Sequence, residues 1–128
     1  MAKAHPKRFI EALYALELDN DVEPLAQMHA PDADISNPLV QHQHRGKDGA
    51  RDFWRTYRDS FQTIKSEFHN IVAEDDVAIL EWTSTGSMAD GRPVSYRGVS
   101  VIEFGPDGIR TFRTYFDPRK LKDKASAE

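Results

Sequence analysis

The chain contains no cysteine, and this absence excludes disulfide bonds and thiolate chemistry. It also lacks an apolar run near the length of a membrane-spanning helix, because the longest is Val-Ala-Ile-Leu at residues 77–80. The first residues have no apolar core like that of a secretion signal. A reducing compartment fits the lack of cysteine. We therefore expect a cytoplasmic protein with no membrane partner.

An excess of positive charge is absent as well. Lys and Arg number 17 against 21 Asp and Glu, which gives a net charge of −4 at pH 7. Dispersed cations offer no basic patch to nucleic acid or to an anionic membrane. The 128 residues, 39% of them hydrophobic, suffice for one domain with one core. We expect a single domain over residues 1–128, ordered from about residue 6 to 121, with a frayed C-terminal tail.

The first half of the chain has the periodicity of helices. Residues 6–18 predict a helix with an apolar stripe through Phe9, Leu13 and Leu16. A short second helix is expected after position 20 or 21. A third is expected to start at residues 46–48 with Asp48 as its N-cap. Its residues spaced by three and four form one buried stripe, Ala50, Phe53, Trp54, Tyr57 and Phe61.

Beyond the third helix the apolar period changes to two. Long strands are predicted at residues 65–73, 77–88, 93–104 and 109–116, after short ones at 33–37 and 40–45. Two of the short connections contain Asp-Gly, which indicates antiparallel neighbours. The pattern predicts an α+β fold: a cone-shaped, curved antiparallel sheet of about six strands, wrapped by three N-terminal helices around a central pocket.

The last predicted strand ends at a carboxylate, Asp117. Alternation puts Arg113, Tyr115 and Asp117 on one face of the strand, opposite Phe112 and Phe116. In an apolar, aromatic pocket the Asp117 carboxyl would have a raised pKa and could take a proton from an acidic C–H. The alternative is a strand-end acid that pairs with Arg113 or caps a backbone N–H.

Four segments resemble the nuclear-transport-factor-2-like superfamily, and specifically its SnoaL-like branch of small polyketide cyclases. They are Phe9 with Ala12 and Leu13, and residues 30–38, 46–54 and 112–117, and with the order of elements they extend the resemblance from about residue 8 to 121. The resemblance implies a cone fold, no metal or organic cofactor, and a single Asp on the last strand that acts as acid and base in an aldol closure. Asp117 falls at that position. It also implies a homodimer through the convex face of the sheet, where Val99 and Val101 alternate with polar residues.

Two other activities of the superfamily fit the residues poorly. At the positions that resemble a ketosteroid-isomerase site, Asn37 replaces the basic carboxylate and Phe9 replaces a Tyr. At those that resemble a limonene-epoxide-hydrolase site, Asp117 and Asn37 match, whereas Trp82 replaces an Arg and Ser84 a second Asp. Half of the second site remains: the resemblance leaves Asp117 and Asn37 to hold a water, and one-step epoxide opening is not expected.

The candidate catalytic residues are Asp117, Asn37, which would orient a carbonyl or a water, and His69, which would share proton transfer. The candidate ligand-binding residues are aromatic or carry hydroxyls: Trp54, Tyr57, Trp82, Ser84, Tyr96, Ser100 and Tyr115. The structural alternatives are an Asn-Pro turn, core aromatics and a histidine on an exposed sheet face. His42 and His44 share a strand face, but without a third ligand they do not predict a metal site.

These residues leave several functions open. The leading hypothesis is a cofactor-independent, polyketide-cyclase-like enzyme that performs aldol or related isomerase or lyase chemistry on a small hydrophobic carbonyl compound. The alternative is a non-catalytic protein of the same fold that binds a small hydrophobic molecule and needs only pocket shape and apolar walls. A protein-binding adaptor would need a large exposed apolar patch beyond the dimer face, of which the sequence gives no sign.

Overall fold

The computed structural model describes residues 3–39 and 44–121. The elements, in chain order, are α1 (Pro6–Asp19), α2 (Glu23–Gln27), β1 (His29–Ser36), β2 (His44–Arg45), α3 (Gly46–Asp59), β3 (Phe61–Glu74), β4 (Val77–Met88), β5 (Pro93–Gly105), β6 (Gly108–Phe116) and a short 3₁₀ helix (Pro118–Leu121). Within the described ranges no helix is long and apolar enough to span a membrane. Of the strand expected at 40–45 only the last two residues are described, and the expected tail after residue 121 lies outside the described residues.

The six strands form one mixed sheet in the order β2-β1-β6-β5-β4-β3. Strands β3 to β6 are an antiparallel meander, as the short turns predicted. Strand β1 runs parallel to β6, so the expectation of an antiparallel sheet throughout is wrong at this pair. A tight turn fixes the direction of the two strands it joins, and β1 is far from β6 in the chain, so no turn signal covers this pair.

The sheet curls around α3. This helix contacts both β1 and β3, which are separated in the sheet by β6, β5 and β4. Neighbouring strands lie about 4.8 Å apart, so four spacings in a flat sheet would put β1 and β3 about 19 Å apart. That is wider than a helix of about 10–12 Å diameter. A curved sheet brings both strands to α3, and α1 and α2 extend the helical layer through contacts with β3 and α3.

Helix α3 starts earlier than its capping chemistry predicted. Arg45 occupies the N-cap position and makes no side-chain cap, while Asp48 lies in the first turn and pairs with Arg51 at 2.8 Å. The expected N-cap role of Asp48 is therefore wrong. The start is fixed instead by Gly46, whose φ of 69° is left-handed and whose missing Cβ would lie 2.8 Å from the Pro31 carbonyl oxygen.

Two apolar clusters fill the space between the helices and the concave face. The larger joins α1, α2 and α3 to the middle of the sheet, and the smaller gathers Phe61, Ile64, Trp82, Val94 and Tyr96 near the ends of the long strands. Tyr57 and Phe68 pack against both clusters. A cavity lies between these clusters and is lined by residues of both.

Candidate functional site

A cavity of about 200 Å³ lies between the helices and the concave face of the sheet. Its walls are mostly apolar, with aromatic rings from α1, α3 and four strands, among them Phe9, Trp54, Trp82, Tyr96 and Phe112. Pockets for drug-sized ligands measure roughly 300–1,000 Å³, so this cavity suits a smaller molecule. Flat aromatic walls favour a ring-shaped, largely apolar ligand.

The sheet side of the cavity is arranged in rows across the strands. Ser66, Ser84 and Tyr96 are cross-strand neighbours on β3, β4 and β5 and form a polar row. The next row holds Phe68 and Trp82, and beyond it Ser100 pairs with Thr114 in a second polar row. The inward faces of β3, β4 and β6 thus alternate hydroxyl and aromatic side chains along the cavity. A ligand on this surface would contact rings flanked by hydroxyls.

Trp82 is held in a fixed orientation as one wall. Its indole Nε1–H donates to Ser100 Oγ at 3.0 Å, and its ring meets Tyr96 edge-on at 5.3 Å between centroids. Its cross-strand neighbour is Gly98, and a Cβ there would lie 2.6 Å from Trp82 Cζ2. Glycine therefore leaves the space that the indole occupies.

A buried carboxylate that the sequence analysis did not single out lies behind the polar row. Glu17 of α1 is only 2% exposed, and its Oε2 accepts the hydroxyl protons of Tyr57 at 2.6 Å and Ser66 at 2.7 Å. Its Oε1 accepts the Ser66 backbone N–H at 2.9 Å. The signal for it was present: Glu17 follows Leu13 by four residues, on the stripe that starts at Phe9, so an acid interrupts a buried helical face.

The tyrosines near this carboxylate remain neutral hydroxyls. Burial raises the pKa of Tyr57 well above 10, and the Glu17 charge raises it further. Burial and the same charge also raise the pKa of Tyr96. Both phenols therefore stay protonated and can act in hydrogen bonds.

Two buried nitrogens of lining residues, Trp54 Nε1 and His44 Nδ1, have no hydrogen-bond partner in the described part of the chain. An unpaired buried polar group costs stability. The hydroxyl of Tyr96, which also lines the cavity, makes no hydrogen bond to a described residue.

Seven of the predicted site residues line this cavity: Asn37, Trp54, Tyr57, Trp82, Ser84, Tyr96 and Ser100. Asn37 also has the turn role given as its alternative, because its Oδ1 accepts the Leu39 backbone N–H at 2.8 Å. Three predicted residues, Asp117, His69 and Tyr115, are not among the lining residues.

Asp117 lies beyond the end of β6 with its side chain 38% exposed. Its carboxylate accepts the Arg119 Nε–H at 3.0 Å and the Nη2–H at 2.8 Å, as well as the Arg119 backbone N–H at 3.0 Å. These bonds hold its pKa at about 2, so the expectation of a raised pKa is corrected. The considered partner Arg113 instead pairs with Glu103 at 2.8 Å.

His69 and Tyr115 lie on the outer face of the sheet. The exposed His69 ring shares a 2.8 Å hydrogen bond with the Thr83 hydroxyl, and Tyr115 is 54% exposed. Tyr115 sits between the inward-facing Thr114 and Phe116, so strand alternation turns it outward. The expectation that it faces the pocket is corrected by that placement.

No metal cluster is formed by the described residues, since no group of three or more His, Asp or Glu side chains comes together in residues 3–39 and 44–121. His42 lies outside the described residues. His44 lines the cavity and packs edge-on against Phe53, with ring centroids 5.6 Å apart.

The model of the SnoaL-like domain family matches residues 8–112, which is most of the chain. The chain belongs to the SnoaL-like family. No curated protein matches this SnoaL-like chain.

Solved structures share the fold of this SnoaL-like protein. An NTF2-like protein from Anabaena variabilis is 18% identical with a TM-score of 0.80, covering 92% of this chain and 90% of that one. An LEH-like epoxide hydrolase from M. tuberculosis is 19% identical with a TM-score of 0.69, covering 89% and 84%. A protein with a ketosteroid isomerase-like fold from Catenulispora acidiphila, in complex with trimethylamine, is 10% identical with a TM-score of 0.77, covering 88% of each chain. At these identities the likeness shows the nuclear-transport-factor-2-like cone fold.

Proposed function

We propose that this SnoaL-like protein binds a small, flat and largely apolar molecule in the cavity between its helices and its sheet. The observation that carries the proposal is the cavity of about 200 Å³, whose lining surface is mostly apolar and rich in aromatic rings, with hydroxyl groups in two rows on its sheet side. Burial of apolar ligand surface against such walls supplies the free energy of binding. Small-molecule sites in proteins have this combination of apolar walls and a few directed polar groups.

The geometry favours the binding hypothesis over the acid/base enzyme suggested by the family position of Asp117. A base must come within hydrogen-bond reach of the proton that it removes. The Asp117 carboxylate is bonded to Arg119 at the end of β6 and does not line the cavity. A pKa of about 2 also makes it a weak proton acceptor. The proposal therefore assigns Asp117 a structural role in the 3₁₀ turn that follows β6.

The similar structure from Catenulispora acidiphila supports a binding role, since it was obtained with trimethylamine. That complex shows that a protein of this fold takes up a small molecule. For the present chain we propose a ring-shaped ligand, because its cavity walls are flat aromatic rings such as Trp54, Trp82 and Phe112.

Two tryptophans make the proposal directly testable. The chain has only Trp54 and Trp82, and both line the cavity. Titration with para-methylanisole, a small apolar ring compound, should change tryptophan fluorescence saturably with one site per chain. Ser100→Leu should abolish that change, because it places a larger side chain in the cavity beside Trp82.

The matched control is Tyr115→Phe on the outer face, which should bind as the wild-type protein does. A wild-type titration with no saturable change, or equal binding by the Ser100→Leu variant, would contradict the proposal.

We also propose a homodimer through the outer face of the sheet, as the family resemblance implies. Large apolar side chains are exposed there, among them Val72, Ile79 and Tyr115. Val72, Ile79 and Val101 are successive cross-strand neighbours on β3, β4 and β5. A contiguous apolar strip of this kind is typical of an interaction surface.

A further inference from the structure

We infer that buried Glu17 fixes the direction of a chain of hydroxyl protons, so that the cavity selects a ligand whose apolar ring carries a hydroxyl group. The inference rests on the proposed binding function and names the chemical class of the ligand. It concerns the polar end of the cavity, where Tyr57, Ser84 and Tyr96 meet the ligand space.

The first step is the set of donors at the carboxylate. A carboxylate has acceptor positions only. At Glu17 these are filled by the Tyr57 hydroxyl, the Ser66 hydroxyl and the Ser66 backbone N–H, at 2.6, 2.7 and 2.9 Å. Each of the two hydroxyls has one proton, and each proton is directed to Glu17. Neither Tyr57 nor Ser66 then has a proton left to give to another group.

The second step follows from the contact between the two serines. Ser66 Oγ and Ser84 Oγ are 2.6 Å apart, so they share a hydrogen bond. Because the Ser66 proton goes to Glu17, the proton in this bond comes from Ser84. Ser84 Oγ therefore offers the cavity lone pairs and no proton. The Tyr57 oxygen likewise has lone pairs but no free proton, because its proton goes to Glu17. This part of the wall therefore accepts hydrogen bonds.

The donor at the cavity comes from a different residue. Tyr96 lines the cavity as the cross-strand neighbour of Ser84, and its hydroxyl makes no hydrogen bond to a described residue. The raised pKa of Tyr96 keeps its proton in place. A hydroxyl group can donate to Ser84 or Tyr57 and accept from Tyr96 with the same oxygen. An ether oxygen can only accept, so it leaves Ser84 facing a second acceptor.

The test compares two isomers, para-ethylphenol and para-methylanisole, which have the same heavy atoms and differ in whether the oxygen carries a proton. Wild-type protein should bind the phenol at least about tenfold more tightly, as measured by calorimetry. In Glu17→Gln the amide N–H donates to Ser66 Oγ, the Ser66 proton turns to Ser84, and the Ser84 proton turns to the cavity. The ratio of the two affinities should then fall to about one.

Ser84→Ala provides a second variant that leaves the carboxylate in place. It should lower the preference for the phenol, because it removes one of the two acceptors and leaves Tyr57 as the other. Tyr115→Phe on the outer face should keep the wild-type ratio. A merely structural role of Glu17 would weaken both isomers equally and leave their ratio unchanged, and this result overturns the inference. Equal affinities in wild-type protein, or an unchanged ratio in Ser84→Ala, also overturn it while leaving the proposed function intact. If neither isomer binds wild-type protein, the proposed function fails first.

Discussion

A buried histidine gives the fold a sensitivity to acid at the scale of a single residue. His29 is fully buried, and its Nδ1 lies 2.9 Å from the Leu25 carbonyl oxygen, so Nδ1 carries the proton and donates it. Its Nε2 has no partner among the described residues. Burial lowers the pKa of His29 to about 4 from an ordinary value of 6.5. Between pH 6.5 and about 4, His29 therefore binds a proton in the unfolded chain but not in the folded chain.

The free energy of unfolding should fall as the pH drops from about 6.5 to about 4, because over that window the unfolded chain binds more protons. The full loss from this group is on the order of 3 kcal/mol. Urea unfolding across this pH range measures the loss, and His29→Gln should reduce the slope. The same substitution at exposed His69 is the matched control, and an equal reduction there would refute the assignment to His29.

Asp117 carries a second prediction at this scale. Its bidentate pair with Arg119 lies at the surface, where such pairs contribute little. Asp117→Asn should therefore leave the affinity for para-ethylphenol within about twofold of wild type, since the side chain does not line the cavity. Calorimetry checks this, with Ser84→Ala as the variant expected to bind more weakly. A large loss of affinity in Asp117→Asn would contradict this prediction and would show that Asp117 contributes to ligand binding.

Alternation along β6 predicts that Tyr115 and Asp117 share one face, but it cannot say which face is concave, so it could not exclude Tyr115 from the site. The sequence puts Phe112 and Phe116 opposite Asp117, and both of these rings line the cavity. The burial of Glu17 was not predicted, because a single acid on an apolar helical stripe can also lie at the solvent-exposed edge of that stripe. Only its hydrogen-bond partners distinguish the two positions. Those partners, Tyr57 and Ser66, are 40 and 49 residues away in the chain.

At the scale of elements, periodicity predicted the long strands well. The bounds expected for β4 agree with those observed, because alternating apolar residues and short turns define both of its ends. Strand β3 begins four residues earlier than expected, at Phe61. Phe61 lies four residues after Tyr57, which fits the helical stripe of α3, and it is buried in the strand as well. A buried aromatic residue at this position fits the helical period of α3 and also the strand period of β3. The pattern of apolar residues therefore could not locate the boundary between α3 and β3.

The packing of β4 against β5 depends on Gly98. A Cβ at this position would meet the Tyr115 carbonyl oxygen and would lie 2.6 Å from Trp82 Cζ2. Gly98→Ala should lower the free energy of unfolding by about 1–3 kcal/mol through overpacking, and it should alter the fluorescence of Trp82. Gly105→Ala is the matched control on the same strand, because its nearest neighbours would be at an ordinary 3.7 Å. Equal urea midpoints for the two variants would contradict this account of the wall.

At the scale of the whole molecule, the order of helices and strands was enough to predict a curved sheet around a pocket. The parallel pairing of β1 with β6 was not predictable from turns, because it joins the first described strand to the last. That pairing places the α2–β1 segment beside the last strand and closes the sheet side of the larger core. The pocket is therefore a product of long-range pairing, whereas its lining residues follow from local alternation.

The outer face of the sheet supports the last prediction. Ile79 is 43% exposed between its cross-strand neighbours Val72 and Val101, so in an isolated chain an apolar strip would face water. Light scattering should give about twice the chain mass of 14.6 kDa. Ile79→Lys should give the monomer mass, because a desolvated charge at the centre of the strip would oppose association.

Leu18→Lys serves as the control for this substitution, since Leu18 is exposed on α1 rather than on the sheet. It should retain the dimer mass, and both variants should still bind para-ethylphenol, because the cavity lies on the concave side of the same sheet. A wild-type mass of one chain would refute the dimer. Loss of ligand binding in the monomeric variant would instead show that the two faces of the sheet are coupled, since pairing at β4 would then be needed to hold Trp82 and Ser84 in place.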